Sequence, residues 1–202
     1  MILVVDSGMG NVGSMANMIR KAGGDALISS DPADLARADK VVLPGVGAFD
    51  EGVSSLRGKG WWDPLTRRVL QDGVPFLGVC LGMQLITRSS EEGRLPGLGW
   101  LAARTVRFAA EAGRKVPHMG WNEVRVERES PLFRGMGPDI SFYFVHSYRL
   151  ACDDPADVLA TTEYGLRFPA CVQRGRIYAT QFHPEKSHRY GLALMRNFVE
   201  RG

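Results

Sequence analysis

Apolar residues fall in short blocks along the chain, and the spacing within the blocks alternates between two kinds. Ile2 to Val5 is an unbroken apolar run ending at Asp6, after which Val12, Met15, Ile19 and Ala22 recur at helical spacing before Gly23-Gly24. Such a run reads as a strand buried on both faces, and the recurrence as an amphipathic helix stopped by glycine. Ala26 to Ile28 and Lys40 to Leu43 are further strand candidates, the second broken by Pro44 and followed by a loop. Asp63-Pro64 reads as N-cap and first helical residue, with Leu65, Val69 and Leu70 as the apolar stripe and Gly73 as the stop. A strand from Pro75 to Val79 and a helix from Leu81 to Arg88 follow.

This alternation predicts an α/β fold of three layers, a mostly parallel central sheet with helices on both faces, and functional groups at the carboxyl ends of its strands. From about Trp100 the pattern changes. Arg104 to Phe108, Asn122 to Glu127, Ile140 to Val145, Ala170 to Gln173 and Ile177 to Phe182 read as strands, joined by turns such as Ala112-Gly113 and Gly135-Met136-Gly137. They predict a mixed or antiparallel extension of the sheet, closed by an amphipathic helix with Leu194 and Phe198 inward. No repeat, linker or low-complexity segment interrupts the chain, so residues 1–202 read as a single domain.

Composition narrows the class. With 45% hydrophobic and 23% charged residues in 202, the chain can bury a core without disulfides or metal. The net charge is only +3 and the basic residues are scattered, which argues against a nucleic-acid face. The longest apolar runs, about five residues, fall far short of the roughly 18 that cross a bilayer. The amino terminus enters a strand with no signal-peptide pattern, so the expected location is the cytoplasm. Three cysteines, Cys80, Cys152 and Cys171, are far apart, and four histidines never fall at i, i+4, so free thiols and no metal site are expected. No cofactor is expected either.

The strongest local signal is Gly78-Val79-Cys80-Leu81-Gly82, where a buried strand meets a helix. Its form is that of a nucleophile elbow, G-x-S-x-G, with sulfur as the nucleophile: flanking glycines permit the sharp turn, and the helix amino terminus favours an anion. His183-Pro184-Glu185 supplies a base and its orienter, because residues two apart in extended chain face the same way and Pro184 keeps His183 extended. Pro44-Gly45-Val46-Gly47 can present backbone N–H groups beside the elbow; with the N–H of Leu81 these would form an oxyanion hole. Against these stands Gly8-Met9-Gly10-Asn11-Val12-Gly13, a G-x-G-x-x-G with Asp31 beyond it, which suits a dinucleotide-binding module. Asp6 and Ser7 separate it from the strand, however, and little chain is left for a substrate domain. A cysteine hydrolase that acts alone would also carry such an elbow, and a non-catalytic interaction subunit of the same fold would need a broken triad, whereas Cys80, His183 and Glu185 are all present.

With these residues assembled, the sequence resembles the class I (triad) glutamine amidotransferases over essentially its whole length, and within them the HisH family, the glutaminase subunit of imidazole glycerol phosphate synthase. The resemblance rests on residues 78–85, on His183-Pro184-Glu185-Lys186-Ser187, on residues 6–11 and 44–49, on Lys115-Val116-Pro117-His118-Met119-Gly120-Trp121-Asn122, and on residues 142–148. The 117–122 stretch discriminates most, whereas Ser7, Val12 and Gly13 depart from the usual pattern of the first loop. The resemblance implies a flavodoxin-like sheet, Cys80 as nucleophile on the glutamine amide, His183 as acid and then base, and Glu185 as its orienter. It implies substrate binding by Gly47, Gly82, Gln84, His146, Ser147 and Tyr148. It also implies a heterodimer with a (β/α)8-barrel cyclase subunit that uses the ammonia to make imidazole glycerol phosphate and aminoimidazole carboxamide ribotide, with Asn11, Trp121 and Lys186 at the interface. A glutaminase subunit of another amidotransferase is an alternative identity, and a cysteine hydrolase that acts alone is the closest competitor within the enzyme class.

Overall fold

In the computed structural model, which describes residues 1–109 and 115–202, the amino-terminal half follows the predicted alternation. Strands β1 (Ile2–Val5), β2 (Ala26–Ser29), β3 (Lys40–Gly45) and β4 (Phe76–Cys80) are interleaved with helices α1 (Val12–Lys21), α2 (Phe49–Gly58), α3 (Trp62–Thr66) and α4 (Leu81–Leu85). The second half supplies β5 (Ala103–Arg107), β6 (His118–Val126), β7 (Ile140–His146), β8 (Tyr148–Cys152), β9 (Val158–Glu163), β10 (Arg167–Arg174), β11 (Ile177–Thr180) and α5 (His188–Arg201). A nine-stranded sheet runs in the order β2-β1-β3-β4-β11-β10-β9-β6-β7, and β5 pairs with β8 separately. The first five of these strands are parallel and the rest antiparallel, the mixed extension expected.

The alternation of side chains along β1 shows why its run is wholly apolar. Ile2 and Val4 join a core with Met15, Ile19, Leu194 and Phe198 from α1 and α5, whereas Leu3 and Val5 join a second core with Phe49, Val53, Leu56, Leu65 and Leu81 from the opposite layer. Each face is thus sealed by helices, and polar residues have no place in the strand. β3 is tied to α5 by Lys40, whose ammonium donates to the carbonyls of Phe198, Val199 and Gly202 at 2.7, 2.9 and 3.1 Å and so caps the last turn of α5.

Several boundaries differ from the sequence reading for identifiable reasons. β3 continues through Pro44 to Gly45; its pairing with β1 ends at Val42, so only β4 lies beside the proline and its missing N–H costs the ladder little. α3 begins at Trp62, which puts Asp63 in its first turn and makes Trp61 the cap residue. The helix then widens into one π turn at Arg67–Gln71, shifting its phase and leaving Leu70 49% exposed, off the stripe. α4 ends three residues before Arg88, where the Thr87 hydroxyl donates to the Gln84 carbonyl. β6 starts at His118, four residues before Asn122, because its pairing with β7 begins at His118 and His146. The turn expected at Ala112-Gly113 lies outside the described residues.

Phe198 is fully buried beneath Tyr178 and Lys40 at the centre of the α1–α5 face. Phe198→Ala is expected to cost about 3–5 kcal/mol in urea unfolding without changing the denaturant slope.

Candidate active site

β4 is buried at every residue and passes directly into α4. The change of direction is made at Cys80, whose φ of 55° lies in the left-handed region that a side chain disfavours. Both flanking glycines are required by contact. A Cβ on Gly78 would lie 2.7 Å from the Gly82 carbonyl oxygen, and one on Gly82 would lie 2.0 Å from the Leu43 carbonyl oxygen. The sulfur is brought to the carboxyl end of the sheet, 4.0 Å from the Val145 carbonyl oxygen, with Cys80 only 7% exposed.

β11 is the strand beside β4, with Thr180 opposite Val79, and the chain beyond it carries His183. Phe182 stacks on Phe142 at 3.8 Å between ring centroids, and the His183 N–H donates to the Tyr143 carbonyl at 2.9 Å. Ser187, fully buried, closes the turn: its hydroxyl donates to the His183 carbonyl at 2.6 Å and accepts the Tyr143 N–H at 2.9 Å. The Glu185 carboxylate accepts from His183 Nδ1 at 2.7 Å, leaving Nε2 as the free nitrogen of the ring. Burial alone would push the imidazole pKa down, but its contacts with Cys80 and Glu185 outweigh burial and hold it up at about 9. Nε2 makes no directed hydrogen bond, so the influence of Cys80 is that of a close neighbour.

Gly45 lies opposite Cys80 in the β3–β4 ladder, and a Cβ there would meet Leu81 Cβ at 2.9 Å. Val46 is 45% exposed and Gly47 adopts a φ of +111° against Met9, so the loop turns away from the sheet beside the elbow. Gly10 of the first glycine-rich loop packs on Gly45, where a Cβ would be 3.2 Å from its Cα, and Asp31 caps a short 3-10 turn through the Ala33 N–H. Both elements of the dinucleotide pattern are therefore occupied in packing and capping.

Gln84 is buried one turn along α4, and its Nε2 donates to the Tyr148 carbonyl at 3.5 Å and to Gln181 Oε1 at 3.3 Å. His146 shares that carbonyl, with Nδ1 at 2.6 Å, and His118 Nδ1 lies 3.0 Å from His146 Nε2. Burial pushes the pKa of His118 down to about 4 and that of His146 down to about 3, so both rings are neutral near pH 7. Ser147 is half-buried, and its carbonyl accepts the Phe108 N–H. Gln84, Tyr148 and His146 are thus joined by hydrogen bonds beside α4, while Gly82 packs against β3 and Gly47 against Met9.

The three residues expected to face a partner are all exposed. Asn11 serves as the N-cap of α1, its side chain accepting the Ser14 N–H at 3.0 Å. Trp121, 48% exposed, stacks on His188 at 5.3 Å and meets Tyr143 edge-on. Lys186 lies over the Tyr143 ring, Nζ 5.9 Å from its centroid. Sequence reasoning gave no role to Gln181, Ser187 or His188, nor to Met119, which is 62% exposed opposite Val145. Only the glutamine and serine carried a signal, as polar residues inside a stretch that the structure buries.

A sheet of this order, with a thiol and an imidazole at adjacent strand ends, defines the class: the family model of class-I glutamine amidotransferases matches residues 3–201. A Methanococcus maripaludis protein, imidazole glycerol phosphate synthase subunit HisH 2, is 50% identical over 99% of this chain and 99% of its own. The subunit of the same name in Pseudomonas aeruginosa is 48% identical, again over 99% of each. A glutamine amidotransferase structure from Thermotoga maritima shares the fold, with a TM-score of 0.70 at 18% identity over 99% of this chain and 96% of that one. The chain belongs to the class-I glutamine amidotransferases and, within them, to the HisH subunits of imidazole glycerol phosphate synthase. It is accordingly a glutamine-hydrolysing enzyme subunit.

The three histidines predict two opposite pH limbs of stability. His183 is raised from 6.5 to about 9, so its contribution is full below pH 6.5 and is lost as pH climbs through 9. His118 and His146 are depressed from 6.5 to about 4 and about 3, so their contribution is full above pH 6.5 and is lost as pH falls toward those values. Urea midpoints measured across pH should flatten on the alkaline limb in His183→Gln and on the acid limb in His118→Gln, each leaving the other limb in place.

Proposed function

We infer that Cys80, His183 and Glu185 form the hydrolytic triad and that the ammonia released is passed to a separate cyclase subunit. The observation that carries this reading is the pairing of a strained, strand-end thiol with an imidazole whose far nitrogen is already committed to a carboxylate. His183 holds its proton at neutral pH, and Glu185 stabilises that charged form.

The reaction is an acyl transfer in two halves. The Cys80 sulfur, as thiolate, attacks the side-chain carbonyl carbon of glutamine, and the oxygen takes up the electron pair. The C–N bond breaks as His183 gives its proton to the nitrogen, releasing ammonia and leaving a glutamyl thioester. The now neutral His183 takes a proton from water, whose oxygen attacks the thioester; the C–S bond breaks, the sulfur leaves as thiolate and glutamic acid ionises to glutamate. The oxyanion of both intermediates would be held by the N–H of Leu81 with those of the Gly45-Val46-Gly47 loop. Gly47, Gly82, Gln84, His146, Ser147 and Tyr148 would hold the amino-acid end of the substrate.

The names of the relatives describe a synthase subunit, which supports a partner. We assign that partner as a (β/α)8-barrel cyclase in a heterodimer, docked over Asn11, Trp121 and Lys186 and converting the ammonia into imidazole glycerol phosphate and aminoimidazole carboxamide ribotide. Exposed Val46, Met119 and Trp121 at this end of the sheet supply apolar surface for such a contact. Among the described residues no helix is long and apolar enough to cross a membrane, and the proposed location is the cytoplasm. The whole of residues 1–202 would act as one amidotransferase domain.

Glutamate release should be low for the chain alone, rise strongly with an equimolar cyclase subunit and its ribonucleotide ligand, and vanish in Cys80→Ser. Glu185→Gln should lower kcat by about 10²-fold or more. Strong activity without a partner would instead mark an independent amidase, and activity in Cys80→Ser would remove the triad.

A further inference from the structure

Gln181 is fully buried between the elbow and α4, and the reaction as described makes no use of it. Its Nε2 lies 3.8 Å from Cys80 Sγ, and its Oε1 lies 3.3 Å from Gln84 Nε2. Which end of an amide points at a neighbour is decided by what the other end meets, and here the decision can be traced to the backbone. The Tyr148 carbonyl can only accept. Both groups that reach it, Gln84 Nε2 at 3.5 Å and His146 Nδ1 at 2.6 Å, must therefore donate.

The Gln84 amide nitrogen faces Gln181 as well, so Gln181 must turn its oxygen to Gln84 and its NH2 to the sulfur. On the other side, His146 with its proton on Nδ1 leaves Nε2 as an acceptor, which takes the proton of His118 Nδ1 at 3.0 Å. His118 Nε2 in turn accepts from Asn122 Nδ2 at 3.2 Å, and that same nitrogen donates to the Glu163 carbonyl at 2.8 Å. Every link sets one donor against one acceptor, the direction reversing at the Tyr148 carbonyl, which accepts from both sides, and both imidazoles are neutral.

We propose that Gln181 is a further residue of the reaction machinery, a buried amide donor to the Cys80 sulfur whose orientation Gln84 and the Tyr148 carbonyl dictate. A donor on sulfur stabilises the anion that attacks and that leaves again in the second half-reaction, because the hydrogen bond strengthens with the charge on its acceptor. The titrating group that faces the sulfur is His183 from the chain after β11, with Glu185 behind it; the Gln181 amide and the Val145 carbonyl, its other neighbours, do not titrate. The role rests on the reading of Cys80 as the nucleophile.

The test is alkylation of Cys80 by iodoacetamide, followed by peptide mass spectrometry across pH in the whole chain. It reads the sulfur without glutamine turnover, so it answers even if the chain hydrolyses no glutamine. Burial pushes the thiol of Cys152 up to about 12 and that of Cys171 higher still, which keeps both slow. In Gln181→Met, of similar volume but without the donor, the Cys80 rate at pH 7 should fall about tenfold and Gln181→Glu should fall further. Both should rejoin the parent within about twofold at pH 10, where an ordinary thiol is anionic with no donor beside it; a mere packing defect or blocked access would persist there.

An unchanged rate at pH 7 in folded Gln181→Met, or a loss that persists at pH 10, overturns the proposal. Should the variants not fold, the side-chain amide resonance of Gln181 in the unaltered protein decides. It should show a pH inflection that Cys80→Ser abolishes; no inflection, or one that survives in Cys80→Ser, overturns the assignment.

Discussion

Everything about this site depends on a single steric constraint, the approach of two backbones at the Cys80 elbow. A residue with a side chain is held at a positive φ, a conformation that costs about 1–3 kcal/mol and persists only when its surroundings leave no alternative. The surroundings here are main chain. Gly78 lies against the Gly82 carbonyl and Gly82 against the Leu43 carbonyl, so β3, β4 and α4 meet with no room for a methyl group at either place. α4 is buried at all five residues, and Leu81 and Leu85 anchor it in the core shared with α2. The strain is offset by packing that would be lost if the turn relaxed, and the sulfur is fixed as a consequence.

Around that fixed point the electrostatics are sorted by what each imidazole is bonded to. His183 has a carboxylate on one nitrogen and a thiol near the other, and keeps its proton. His146 has a carbonyl on one nitrogen and a neutral ring on the other, and burial strips the charge from it. One side chain type therefore serves as a proton store on the β11 side and as a neutral link on the β7 side, within the same sheet.

Much of this was legible in the sequence wherever one local rule decided the outcome. The wholly apolar run of Ile2–Val5 announced burial on two faces, the glycine pair announced the elbow, and His-Pro-Glu announced its own geometry. α2 was not read because Gly52 and Gly58 weaken its helical pattern, although Phe49, Val53 and Leu56 are all buried. β8 and β9 escaped because they mix polar and apolar residues, and β5, the partner of β8, and β6, one of the two partners of β9, are distant in sequence. Leu70 was misplaced by a single widened turn, a deviation from helical period that no periodicity count includes. The hydrogen-bonded pair His118 and His146 belongs to the same group: their side chains meet only through the register of β6 on β7. The residues of the triad were readable because each announced itself within five positions, whereas those that orient them are brought together only by the sheet.

The adjacency of β4 and β11 has a mechanical meaning. Two parallel strands in one ladder are separated by about 4.8 Å, a distance set by backbone hydrogen bonds and nearly incompressible. Nucleophile and base ride on the ends of two such strands, so thermal motion carries them as one body and their spacing is no adjustable quantity. What lacks a ladder is the chain past Gly45, where Val46 and Gly47 have left the sheet. A molecule built in this way has a stiff reacting centre and a compliant rim, and any signal from outside can be felt only at the rim.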